Sequence, residues 1–253
     1  MNSNKSYRFD SNLTLARIKV IGVGDCGINL IKSMTHDGAK RAEFITADAY
    51  TWSELKETTH RKIQLRSVSR LDGSAESAFY DAENAEEDIR NAISNTSMLF
   101  VSAGMAGTTG AEAAQVIARI ARQMGIVTVG VAIMPFDWEG GRRMKIAISS
   151  LAKLTANTDA VIELSNERMV NGLDCCSVAD VFVSANIIVK SVLSFITDEI
   201  DERSEDLKFE SESQLVGASF KLMTGSNQRL TSLGIHGLRK ALFALCNERN
   251  KTG

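Results

Sequence analysis

This chain has no strong charge field, no metal-ligand pattern and no membrane span. Its 253 residues carry 29 Lys and Arg against 31 Asp and Glu, a formal net charge of −2. No general field therefore draws nucleic acid or anionic lipid, and specificity must reside in a site. Cys26, Cys175, Cys176 and Cys246 lack the spacing of metal ligands, and the adjacent pair Cys175 and Cys176 is a poor start for a disulfide framework. A reducing cytoplasm fits that usage. No uncharged apolar run reaches the ~18 residues that a spanning helix needs, so no direct membrane anchor is expected. The opening residues, MNSNKSYRFDSN, are polar where a leader would be charged and then apolar, and residues 1–16 are expected to be a disordered tail. His36, His60 and His236 lie in predicted helix ends or polar loops with no visible orienting partner, which leaves little for histidine acid–base chemistry.

What is present is an ordinary globular composition, 44% hydrophobic and 24% charged, enough for one full α/β core with a small appendage. The chain is organised around residues 99–144. A buried-strand run, Met98-Leu99-Phe100-Val101, breaks on Gly104, Ala106, Gly107, Thr108, Thr109 and Gly110 and turns helical, with Ala114, Ile117, Ile120 and Ala121 on one face. Free N–H groups at such a helix start, together with a glycine loop, suit a phosphate. A second apolar run, Ile126–Ile133, closes a strand–helix–strand unit that ends at Pro135, and the helical crossover requires its strands to be parallel.

An earlier unit repeats the theme. Arg17–Val23 is a β-branched run that breaks at Gly22, Gly24 and Gly27 and continues as INLIKSM; Asp48 closes the next probable strand, Glu43–Ala47. Alone, this satisfies G-x-G-x-x-G followed by an acid, the fingerprint of a nicotinamide-dinucleotide fold, so an NAD-dependent oxidoreductase competes. Asn29 directly after the turn, the segment Thr46–Ala49 and the second loop at Gly104–Gly110 weigh against it.

The two loops, followed by Met134-Pro135-Phe136-Asp137-Trp138-Glu139-Gly140-Gly141-Arg142-Arg143-Met144, resemble the tubulin/FtsZ family of GTP-binding cytoskeletal proteins, on the bacterial cell-division side. The resemblance implies a doubly wound parallel α/β sheet of the tubulin/FtsZ GTPase type over residues 17–176, a long central helix over 177–202, and a truncated second domain over 203–253. It implies GTP or GDP as ligand, with Mg2+ near Asp25 or Asp48. It places Gly24, Asp25, Cys26, Gly27, Asn29, Asp48, Gly107, Thr108, Thr109 and Gly110 on the phosphate side, and Glu139 and Arg143 on the sugar and phosphate. Asn166 and Asn186 become base contacts and Phe182 the base-stacking ring; an amide offers guanine both a donor and an acceptor. The expected partners are the chain itself or full-length FtsZ filaments.

The family pattern is also broken in places. Ala106, Thr108, Ala111 and Glu112 depart from its longer glycine run, and Leu71–Glu76 replaces a glycine-rich loop against the terminal phosphate. Asp25 and Glu112 add negative charge beside the phosphates; a cation lies between them, Glu112 points away along the first helical turn, or the site takes nucleotide weakly, prefers a diphosphate or takes none. The activating loop, which one subunit inserts into the next, carries Lys208, Glu210 and Ser213 in place of an asparagine and two acids, so Glu210 is the one catalytic candidate, acting in trans. Phosphoryl transfer depends on alignment and electrostatics. The expectation is therefore a protein that joins, caps or modulates cell-division filaments with weak or absent self-activated hydrolysis. The alternatives are a nucleotide-free interaction module, a conventional polymerising GTPase and, last, the oxidoreductase. Local patterns further predict a short strand near Lys62–Leu65, helices near Glu83–Ile93 and from Met144 to about Leu154, and a strand at Ala160–Leu164. A strand-like piece in Gln214–Gly225 and an amphipathic helix over Leu230–Asn247 are predicted beyond these.

Overall fold

The structure, a computed structural model, describes residues 17–36, 42–49, 61–65, 74–171, 218–224 and 229–232. The β-branched run at the start becomes β1 (Ile18–Val23), buried along its whole length, and passes without a linker into α1 (Gly24–His36). There follow β2 (Ala42–Asp48), β3 (Arg61–Gln64), α2 (Ala75–Asn84), α3 (Glu86–Ala92) and β4 (Met98–Gly104). The second half holds α4 (Thr108–Gln123), β5 (Val127–Met134), a 3₁₀ turn at Asp137–Glu139, α5 (Gly141–Ala156), β6 (Ala160–Ser165) and α6 (Asn166–Asn171). Two further strands are β7 (Ala218–Thr224) and β8 (Arg229–Ser232).

All eight strands form one sheet in the order β3-β2-β1-β4-β5-β6-β7-β8. The first six run parallel, with helices joining β1 to β2, β3 to β4, β4 to β5 and β5 to β6, and β7 and β8 add on antiparallel. Parallel strands buried on both faces read as continuous apolar runs, which is why β1, β4 and β5 are so plain in the sequence. The two faces are covered by different helices. Gly22 approaches Ile31 of α1 on one face, whereas Gly130 approaches Leu154 of α5 on the other. On that second face Ile21, Val23, Leu99, Val101 and Ala132 pack with Ile89 and Ile93 near α3 and with Ile117 and Ile120 of α4. Each such Ile or Leu, fully buried, contributes on the order of 1.5–3 kcal/mol. α4 is buried nearly all round because α2 and α5 flank it, and its alanines let those neighbours close in.

Several expectations are corrected. The single helix near Glu83–Ile93 is two helices that break at Ala85 (φ −90°, ψ 12°), and the first begins at Ala75. Ser74 starts it by accepting the Ser77 N–H at 3.1 Å, so Ser74–Glu76, expected in a surface loop, form a cap and a first turn. α5 begins at Gly141, ahead of Met144, because the 3₁₀ turn before it hands the chain straight into the helix. The strand-like piece expected in Gln214–Gly225, assigned to a second domain, forms β7 and pairs with β6 in the same sheet, Phe220 opposite Ile162. Leu230, expected to start a helix, lies in β8 opposite Met223 of β7; the rest of that predicted helix is outside the described residues. The long helix predicted over Ser177–Ile200 is also outside them.

Candidate functional site

The carboxyl ends of the parallel strands line one edge of the sheet, and the chain reverses its direction of winding between β1 and β4. Ligands of open α/β sheets bind at such a switch point. The two glycine turns meet there. Gly24 has φ +64°, a left-handed conformation that disfavours a side chain, and a Cβ on it would lie 3.1 Å from the Gly110 nitrogen. A Cβ on Gly104 would lie 3.0 Å from that of Cys26, and one on Gly27 would strike the Ser102 carbonyl oxygen at 2.4 Å. Only bare backbone lets the heads of α1 and α4 come this close.

Both helices point their N-termini at this edge. Gly107 is the N-cap of α4 and supplies no side-chain bond; the ladder opens with Ala111 N–H to the Gly107 carbonyl at 3.1 Å. The N–H groups of Thr108, Thr109 and Gly110 lie ahead of it, free for an acceptor. Gly107 and Thr108 are exposed, and Gly110 is buried. Asp25 and Asn29, one turn apart on α1, are both exposed and share a face. Asp48 is buried at the end of β2, where its Oδ1 accepts the Ala49 N–H at 2.7 Å.

The segment after β5 is braced from several sides. Phe136 is buried and Trp138 stacks on it, ring centroids 5.2 Å apart. The Phe136 N–H donates to Glu139 Oε1 at 2.8 Å, Arg143 Nε lies 3.1 Å from Glu139 Oε2, and the Asp137 N–H donates to Glu167 at 3.3 Å. Glu139 therefore holds the turn and Arg143 together. It also reaches the first glycine turn: burial, then Asp25, then Glu139 push the Cys26 thiol up to about 11.

Asn166 opens α6 at the carboxyl end of β6, where Ser165 Oγ accepts the Arg168 N–H at 3.3 Å. It is 3% exposed, and its Oδ1 has no hydrogen-bond partner. Leaving a buried acceptor unmade costs about 1–3 kcal/mol, so this oxygen would gain from any N–H donor brought to it. From the end of β1 to that of β6 is three strand spacings, about 14 Å, a span matching an extended nucleoside phosphate with its phosphates at the glycine turns.

Glu112 takes one of the courses left open by its sequence. It points away from the phosphate turn: Lys153 Nζ of α5 lies 2.9 and 3.1 Å from its two oxygens, and Gln115 Nε2 donates to it. Local sequence did not single out Lys153 or Gln115; no pattern signals a pair 41 residues apart. Phe182, Asn186 and Glu210 lie outside the described residues. Among the described residues no cluster of His, Cys, Asp and Glu suits a metal ion, and no helix is long and apolar enough to cross a membrane.

A six-stranded parallel core with paired glycine turns at its switch point defines a doubly wound α/β class. Residues 17–174 match the model of the tubulin/FtsZ family, GTPase domain, and the chain belongs to that family. It is 36% identical to the cell division protein FtsZ of Rickettsia typhi over 187 residues, covering 72% of this chain and 41% of the relative. It is 35% identical to cell division protein FtsZ 1 of Thermococcus kodakarensis over 189 residues, 73% of this chain and 51% of that one. The chain thus spans about two-fifths to one-half of these relatives. A solved FtsZ dimer from M. jannaschii, described as empty, superposes with a TM-score of 0.67 at 28% identity, covering 74% of this chain and 57% of that one.

Proposed function

We propose that this chain binds a guanine nucleotide, GTP or GDP, across the carboxyl edge of its sheet and associates with itself or with full-length FtsZ filaments. The observation that carries the reading is the meeting of Gly24 and Gly110 at the heads of α1 and α4. It clears side chains from a place where two sets of backbone N–H groups converge, which suits a diphosphate or triphosphate. Asp25 is the exposed carboxylate next to those phosphates and the residue that would face a bound Mg2+. The orphaned Asn166 Oδ1 suits a guanine N–H, and Arg143, fixed by Glu139, suits the sugar and phosphate side. Phe182 as stacking ring and Asn186 as second base contact rest on family resemblance alone.

Hydrolysis is proposed to be weak or absent. With Lys208, Glu210 and Ser213 at the family's three positions, one carboxylate is in register to align water on a neighbour's terminal phosphate; Glu212 would have to shift into place, and misplacement by about 1 Å costs on the order of a hundredfold in rate. Such a subunit would join a filament and fail to trigger turnover at that junction, acting as a cap or modulator in the cytoplasm.

The test is calorimetric titration of nucleotide-stripped protein with GTP, GDP, ATP and NADH in the presence of Mg2+, repeated on Asn166→Ala. Saturable GTP binding that ATP and NADH do not match, weakened in the variant, supports the reading. Preferential NADH binding would revive the oxidoreductase, and absence of any nucleotide binding would leave the interaction module. Light scattering of polymerising FtsZ with substoichiometric amounts of this chain then tests the filament role.

A further inference from the structure

Beside the head of α4, residues of α2, α4 and α5 line an open cleft of about 440 Å3. Phe79 and Tyr80 of α2 form its aromatic wall, edge to face with centroids 5.9 Å apart, and Tyr80 is 48% exposed. The polar lining comes from Glu76 of α2, Glu112 and Gln115 of α4, and Lys153 of α5.

The hydrogen-bond inventory of that lining is lopsided. A carboxylate has about four lone-pair positions. Lys153 takes one on each Glu112 oxygen and Gln115 takes another on Oε2, which leaves a position open on Oε1. Among the described residues, no hydrogen bond or ion pair engages the exposed Glu76 carboxylate, the Gln115 amide oxygen or the Tyr80 hydroxyl. Two carboxylates face one ammonium, and unused acceptors outnumber unused donors.

We propose that this cleft is a docking slot for an arginine side chain carried by a basic partner segment. A guanidinium offers five N–H donors in a flat fork, which matches Glu76, the open position on Glu112 and the Gln115 oxygen. Its plane lies against the Tyr80 ring in the manner of a cation–π contact. One arginine brings the cleft to neutrality. A lysine brings the charge without the plane or the fork, and an acidic segment meets net negative charge.

The experiment titrates fluorescein-labelled tetra-arginine, tetra-lysine and tetra-glutamate peptides into the full chain by fluorescence anisotropy. Tetra-arginine is expected to saturate, tetra-lysine to bind at least tenfold more weakly, and tetra-glutamate not to bind. Glu76→Gln and Tyr80→Ala, both at exposed positions that leave the core intact, each weaken tetra-arginine at least tenfold. Lys153→Ala removes the resident cation and tightens it several-fold. Absence of saturable tetra-arginine binding overturns the proposal. So does equal affinity for the arginine and lysine peptides, or affinity unchanged in Glu76→Gln and Tyr80→Ala, because binding is then diffuse charge attraction. Affinity unchanged in Lys153→Ala removes Glu112 from the slot and overturns the geometry argued for it.

Discussion

Gly24 and Gly110 lie so close that a methyl group between them would be crowded: a Cβ on Gly24 would sit 3.1 Å from the Gly110 nitrogen and 3.2 Å from its Cα. This contact brings the first glycine turn against the second. The neighbour is backbone at the head of a buried helix, so it cannot swing aside as a flexible side chain would.

Comparison of Gly24→Ala with Gly125→Ala isolates that contact. Both glycines have positive φ, +64° and +76°, and an alanine pays about 1–2 kcal/mol for that conformation. Gly125 has nothing within 4 Å of the added carbon, so its variant loses only this much. Gly24→Ala is expected to lose roughly 1 kcal/mol more, the order at which overpacking costs begin, and to weaken nucleotide binding where Gly125→Ala leaves it unchanged. Urea unfolding and calorimetric titration of the two proteins check this.

Asp159 ties the start of β5 to the chain entering β6. It is 6% exposed, its Oδ2 accepts the Thr128 N–H at 2.8 Å, its own N–H donates to the Thr128 carbonyl at 2.8 Å, and Arg122 Nε stands 3.6 Å from its other oxygen. Asp159→Ala leaves the Thr128 N–H buried without its acceptor, and a loss of about 1–3 kcal/mol is expected. Asp159→Asn keeps an acceptor for that N–H and loses less. Arg122→Ala touches a half-exposed partner and is expected to lose under about 1 kcal/mol. Equal losses from Asp159→Ala and Asp159→Asn in urea unfolding would show that charge, and not the backbone bond, is what Asp159 provides.

Lys153 and Glu112 are unequal members of one ion pair. The Glu112 side chain is 10% exposed and that of Lys153 is 46% exposed. Lys153→Met strands a buried carboxylate with Gln115 as its remaining donor, whereas Glu112→Gln leaves an ammonium that turns to water. The lysine variant is therefore expected to be the less stable of the two, by about 1–2 kcal/mol, and to recover part of that loss when Glu112→Gln is added. A double-mutant cycle in urea measures the coupling.

Strand, turn and helix at β1–α1 and at β4–α4–β5 were legible because their signals are local: apolar runs of strand length, glycines at the bends, and small and apolar residues at helical spacing. That strands joined by these helices run parallel follows from the crossovers, whereas their order in the sheet does not. The break at Ala85 was not legible, since no glycine or proline marks it, and the two short helices share one unbroken polar and alanine-rich pattern. The placement of β7 depends on which edge of the sheet it meets, and strand pairing is decided by partners distant in sequence. At the site, the glycine turns were legible from local chemistry, whereas Asn166 was singled out through the family resemblance, because an asparagine at a strand end carries no signal of its own. What Glu112 does depended on Lys153, a lysine on a helix that its own sequence presents as a basic, solvated face.

Cys26 gives the site a pH signature. Burial, with Asp25 and Glu139 adding to it, raises its thiol from 9.0 to about 11, so the folded protein holds this proton more tightly than the unfolded chain. Unfolding therefore releases a proton between pH 9 and 11, and stability falls as pH rises through that window, by at most roughly 1.4 kcal/mol per pH unit from this group. Below pH 9 both states keep the proton and the contribution vanishes. Cys26→Ala is expected to lose that part of the alkaline decline, read as the difference between the two unfolding curves at pH 8 and pH 10.5. Because the thiolate is the reactive form, iodoacetamide at pH 8 should modify Cys26 about a hundredfold more slowly than an unperturbed thiol. Asp25→Asn removes one of the carboxylates that hold the proton on and should accelerate the reaction. If Asp25→Asn leaves the rate unchanged while partial denaturation raises it, burial alone accounts for the shift, and Asp25 faces away from the thiol.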